Sequence, residues 1–111
     1  MSELDDINRS IEQAKKNIEK AKKLKRLQEN KDFQELITKG YLYDYPAELV
    51  QSKALPQTQT SSQQKYIDYQ LAGIGGFVVH MDLILTMGIT AEASLKSDET
   101  EKTYLLEEEI V

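Results

Sequence analysis

The 111-residue chain has no cysteine and no tryptophan, and it holds only two phenylalanines, two prolines and five glycines. Without cysteine there are neither disulfides nor thiolate metal ligands, which fits a reducing cytoplasm. So few prolines and glycines exclude fibrous classes. With Phe and Trp scarce, packing falls to leucine, isoleucine and the six tyrosines. The N-terminus is polar and lacks an apolar signal region, so secretion through a cleaved leader is not expected. Reacting groups are as sparse. His80 is the single histidine, and Asp82, two residues on, would point elsewhere on a helix. His80 therefore reads as a hydrogen-bonded core or interface residue. Gly73-Ile74-Gly75-Gly76 lacks the lysine and hydroxyl residue of a phosphate-binding loop, and Glu107–Glu109 lack the spacing of a calcium loop. Neither catalysis nor a cofactor nor a metal is expected.

What is present is a single domain's worth of chain, 40% hydrophobic and 30% charged. Its one long apolar segment runs from Tyr66 to Leu85. There Ile67, Leu71, Ile74, Val78, Met81 and Leu85 recur at steps of four and three, the seam of a packed helix. Ser61 and Gln64 read as the capping box that opens it. Gly73, Gly75 and Gly76 each cost about 0.5–1 kcal/mol in a helix. The heptad spacing runs straight across them, so the expectation is a helix whose glycines admit another backbone closely. A kink at 73–76, or a strand over Phe77–Leu85, is the alternative. Leu71–Ala91 is long enough to cross a bilayer. Asp82 would cost about 2.5–3.5 kcal/mol near its centre, and no basic residue lies between Lys65 and Lys96 to anchor the ends. A buried core helix, with no membrane partner, is the expectation.

Towards the N-terminus, Ser2 and Asp5 form a plausible capping box, with acids in the first turn where the helix dipole favours them. Leu4, Ile7, Ile11, Ala14, Ile18 and Ala21 then repeat at steps of three and four, a coiled-coil seam. Leu24 and Leu27 follow at threes, so the stripe slides round the helix. Two alanines leave the seam thin, and it is expected to pack on another helix, including one from a second copy. Charge divides unevenly. Residues 1–31 carry nine basic and six acidic side chains, a net of +3, and residues 32–111 the remaining −8 of the total −5. Seven bases, Lys15, Lys16, Lys20, Lys22, Lys23, Lys25 and Arg26, stand among 15–26 with one acid. They could line a phosphate backbone through counterion release. With no aromatic interleaved, a solvated helix face suited to the C-terminal half of the dipole is preferred.

Asn30 or Asp32 can cap a short helix carrying Phe33, Leu36 and Ile37, with Gly40 placed to end it in a left-handed conformation. Tyr41–Pro46 would connect to a helix with Ala47, Leu49, Val50 and Ala54 on its apolar side, stopped by Pro56. The result is a short hairpin over Phe33–Ala54. Tyr41, Tyr43 and Tyr45 could form a partner-binding patch, although tyrosines at such a junction are more often half-buried packing residues. Gln57–Ser62 reads as a polar surface linker. Gly88 or Thr90 would mark a boundary, and Ser97 would cap a last helix. From Glu92 to Glu109 lie seven acids and two lysines. Tyr104, Leu105, Leu106, Ile110 and Val111 argue that this acidic tail docks.

The stretch from Leu24 to Val50 resembles a family of small proteins of tailed bacteriophages. The matching positions are Leu27, Asn30, Asp32, Phe33, Gly40, Tyr41, Leu42, Leu49 and Val50; Gln70–Gly75 and the acidic tail are also similar. The departures are the tyrosine-rich 41–45 segment and the extra glycine at 73–76. Members tend to be encoded among virion structural and packaging genes, and the resemblance brings no catalytic residue.

Together these features predict an all-α fold, three to five helices with an extended coiled-coil-like N-terminal helix over 1–30 and a helical body with an acidic tail over 31–111. The expected function is that of a non-enzymatic phage structural or assembly protein of the head, neck or packaging apparatus. It would act by helix contacts with copies of itself, a homo-oligomer, or with capsid or portal proteins, in the virion or the host cytoplasm. Leu4, Ile7, Ile11, Ile18 and the tyrosine patch would be the partner-binding residues. The alternatives are a nucleic-acid-binding packaging adaptor using the 15–26 bases, and a small acidic inhibitor of a host enzyme.

Overall fold

The structure, a computed structural model, describes residues 2–110, and the described residues are almost wholly helical, with no strand. The helices are α1 (Glu3–Glu29), α2 (Lys31–Phe33), α3 (Tyr45–Ala54) and α4 (Ser61–Ile110). A π-helical stretch, Gln34–Asp44, joins α2 to α3 without a break. A single 3-10 turn, Pro56–Thr58, stands before α4. The all-α expectation holds. By contact the chain divides into two units, one of residues up to Leu24 together with those from Leu83 on, the other Lys25–Asp82.

In the first unit, α1 and the C-terminal part of α4 run antiparallel. Ser10 Oγ meets Asp98 Oδ2 at 2.5 Å, and Ala21 lies against Gly88, pairs that agree in register to one residue. The α1 seam read from sequence is the one buried: Ile7, Ile11, Ala14, Ala21 and Leu24, with Leu4 and Ile18 half-buried. Leu27 has slid out of it and is exposed. Ile18, Ala21 and Leu24 are spaced by threes, and so are Leu85, Gly88 and Ala91 on α4. Both seams shift by a fraction of a turn, and the shifts meet where Ala21 faces Gly88. The close approach expected at Gly73–Gly76 occurs here instead. A Cβ on Gly88 would overlap that of Ala21, whereas nothing lies within 4 Å of one built on Gly73, Gly75 or Gly76.

In the second unit, the run from Lys31 to Ala54 lies antiparallel to the first turns of α4. Leu49, Ile67 and Ile74 form the core, with Tyr41, Leu42, Tyr45 and Leu71 packed against it. Tyr41 stacks on Tyr45 at 6.1 Å between ring centroids and meets the edge of Phe77 at 5.9 Å. Leu49, Ile67 and Ile74 are nearly fully buried, and full burial of an aliphatic side chain contributes about 1.5–3 kcal/mol.

The expected hairpin over Phe33–Ala54 is replaced by one helical run. Asn30 caps it, its Oδ1 accepting from Phe33 N at 3.0 Å. Gly40 does not end it, since no described glycine has a positive φ. The reason lies in Pro46, which cannot donate and whose ring would meet the carbonyl of Leu42 in a regular α-helix. Widening the helix over Gln34–Asp44 shifts that ladder, so that Tyr45 N donates to Gly40 O. In the widened helix a Cβ at position 40 would lie 2.9 Å from Glu35 O. Glycine is needed for clearance, not for handedness.

Leu55 is extended (φ −72°, ψ 142°), as a residue before proline tends to be. The polar stretch after it does not wander over the surface. Gln59 Nε2 donates to Lys53 O at 2.9 Å and Leu55 O at 2.6 Å. Gln64 Nε2 donates to Lys53 O at 3.0 Å and Thr58 O at 2.9 Å. These amides supply donors to carbonyls at the end of α3 and in the turn that follows it. The capping box of α4 falls one residue earlier than expected: Thr60 Oγ1 donates to Gln63 Oε1 at 2.7 Å, and Gln63 N to Thr60 Oγ1 at 3.3 Å. From there α4 continues for 50 residues. The expected boundary at Gly88 or Thr90 and the cap at Ser97 are absent, because Gly88 sits in a packed contact and the seam carries on past it. The helix is unbroken through 73–76, and Phe77–Leu85 is helix instead of strand.

Three glycines therefore separate by experiment. Gly88→Ala is expected to lower stability by about 1–3 kcal/mol through overpacking on Ala21. Gly40→Ala should also destabilise. Gly75→Ala, in open space, should raise stability by about 0.5–1 kcal/mol. Thermal unfolding followed by circular dichroism reads all three; a stabilising Gly88→Ala would contradict the close crossing.

Candidate interaction surfaces

The expected partner-binding seam of α1 is already covered inside the chain: Ile7 and Ile11 are buried, and Leu4 and Ile18 half-buried. Its packing needs no second copy. Of the tyrosines, Tyr41 and Tyr45 belong to the core of the 25–82 unit, and only Tyr43, 73% exposed, is left on the surface. The three alternate around a helical run and do not make one patch.

The seven bases between Lys15 and Arg26 are all exposed. At 100° per residue, Lys16, Lys20 and Lys23 share one side of α1, while Lys15, Lys22 and Arg26 share an adjoining side. Glu19 lies between the two rows. The bases thus coat the solvent face of α1 instead of converging on a point.

Acids concentrate elsewhere in the same unit. Ser2, Glu3 and Leu4 line one depression with Leu105, Glu108 and Glu109. The first turn of α1 adds Asp5 and Asp6, and the last turn of α4 contains no base. Acids suit the start of α1 but oppose the dipole at the end of α4. Leu105 is half-buried, whereas Tyr104, Leu106 and Ile110 are exposed. Val111, which the docking expectation also included, lies outside the described residues.

The apolar core helix expected from sequence is buried on one face only. Ile67, Ile74 and Met81 are buried, and Leu71, Val78 and Leu85 half-buried. On the opposite side Tyr69, Gly73, Gly76 and His80 follow one another at steps of four, three and four, flanked by Ala72 and Val79. All six are exposed. This second line escaped the sequence reading because glycine carries no hydropathy signal; the shared spacing was the available clue. By length and composition α4 could also cross a membrane. His80 and Asp82 are both exposed and on different sides of α4.

Among the described residues no polar or charged side chain is buried, and no group of three or more His, Asp and Glu is placed to hold a metal ion. A groove between α1 and α4 is lined by Ser10, Gln13, Ala14, Asn17, Thr86 and Thr90, together with Met87, Ala91 and Ser94. It contains no acid, base or histidine, so it offers hydrogen bonds and no proton transfer. Comparison with known protein families, curated proteins and solved structures finds no match for this chain.

Two substitutions test these assignments. Ile11→Asp buries an unpaired carboxylate between α1 and α4 and is expected to cost more than about 3 kcal/mol, seen as lost helix content and a lower thermal midpoint. An unchanged midpoint would free the α1 seam for a partner. Glu108→Lys should stabilise by a few tenths to about 1 kcal/mol at low ionic strength, and salt should erase the gain.

Proposed function

We propose that the chain is a non-enzymatic assembly protein of a tailed-bacteriophage particle, acting in the head, neck or packaging apparatus through helix-mediated contacts. The observation that carries the reading is the outer face of α4, where Tyr69 and Val79 remain 71% and 67% exposed beside two uncovered glycines. Isolated apolar residues on a surface need no explanation, but Tyr69, Gly73, Gly76 and His80 follow one another at coiled-coil spacing with Ala72 and Val79 beside them, which suits another helix. The resemblance of Leu24–Val50 to small phage proteins supplies the setting, a virion or the cytoplasm of its host. The partners under this reading are copies of the chain or capsid and portal proteins.

A second reading follows from the exposed bases of α1: a packaging adaptor on nucleic acid. Lysines that coat one helix face would contact phosphates without reading bases. Affinity for duplex DNA should then fall steeply with salt, with a log–log slope of several units. No binding at low ionic strength removes this reading.

Mass spectrometry of purified virions tests the first. The chain is expected at a copy number that matches a ring or shell of the particle. Its absence from both virions and assembly intermediates overturns the proposal.

A further inference from the structure

Within the 25–82 unit, Tyr69, Gly73, Gly76 and His80 make a line along α4 on the side away from Leu49, Ile67 and Ile74, with Ala72 and Val79 beside it. We propose that this face pairs with its own counterpart on a second copy of the chain, antiparallel, about a two-fold axis passing between Gly73 and Gly76. The proposal deepens the assembly reading and rests on it for its biological sense, but not for its physics.

Three observations favour a second copy. Gly73 and Gly76 each weaken α4, and nothing within 4 Å gives any packing in return. A glycine in a long helix is useful where another backbone must come close. The line is also self-matching. An antiparallel register that sets Gly73 opposite the partner's Gly76 sets Tyr69 opposite the partner's His80. Small residues then meet at the centre, and at each end a phenol hydroxyl faces an imidazole, which can accept its hydrogen bond. Such a surface repeats itself under a two-fold, as an isologous interface requires. Finally, none of the six residues is Asp, Glu, Lys or Arg, so two copies meet without like-charge repulsion, and opposed helix dipoles favour the antiparallel sense.

A lipid surface is the competing occupant. It is disfavoured because two glycines and an imidazole give a bilayer little apolar side chain to bury.

Light scattering and sedimentation on the whole chain test the pairing. A dimer is expected, and Gly76→Leu should weaken it by about tenfold or more. Nothing inside the chain touches that position, so helix content should not fall. Gly75→Leu, off the line and equally open, should leave the dimer intact. Because the chain has no cysteine, the Tyr69→Cys/His80→Cys double variant should form a disulfide-linked dimer on oxidation, and neither single variant should. A monomer at every concentration, or cross-linking by the single variants, overturns the pairing. So does uptake by neutral phosphatidylcholine vesicles that Gly76→Leu leaves unchanged. A monomeric chain found in virions would sink the pairing and spare the assembly reading; a dimer absent from virions and from assembly intermediates would do the reverse.

Discussion

A helix with one apolar stripe must be covered along that stripe, and α4 imposes this requirement over fifty residues. In each of the two units a different stretch of the chain covers the apolar positions that α4 contributes there. Residues 61–82 are met by the run ending at Ala54, and residues 83–110 by α1. Because both pairings are antiparallel, each needs only that the covering helix bring its own apolar positions into step. The polar residues around Leu55–Thr60 serve the first pairing. Their side chains satisfy the carbonyls at the end of α3, so the chain reverses within six residues without orphaned backbone groups.

The two pairings differ in what fills them. In the 25–82 unit, aromatic rings do much of the packing, with Tyr41 held between Tyr45 and Phe77. Between α1 and α4, Ala14, Ala21, Gly88 and Ala91 are interspersed with Ile7, Ile11 and Leu24, and the helices approach closely at Ala21 and Gly88. The partly exposed ion pair of Lys53 with Asp68 joins α3 to α4, but such pairs typically contribute under about 1 kcal/mol. Apolar burial therefore outweighs charge pairing within each unit.

Much of this was legible in the residues. Heptad spacing located the buried positions of α1 and of α4 from Ile67 to Leu85; Ser2 is a cap as its residue type suggests, and of the two candidates Asn30 and Asp32 the structure caps with Asn30. Other features were hidden for physical reasons. Gly40 and Pro46 are turn formers in most contexts, and only a widened helix reconciles them with continuous helix. Gly88 looked like a boundary because a lone glycine in sequence does not reveal that an alanine methyl sits against it. Thr60 and Ser61 are equally good caps by type, and geometry chose between them. The outer line of α4 was invisible to hydropathy, since two of its four members have no side chain.

The meeting of Ala21 with Gly88 has one more consequence. Were α1 to slip by one heptad along α4, Ala14 would replace Ala21 opposite Gly88, so bulk alone would tolerate the slip. The paired steps of three would then fall at different heights, and the bond between Ser10 and Asp98 would be lost. Matching irregularities in two otherwise repetitive helices thus act as a notch and key, giving a monotonous pattern a single alignment.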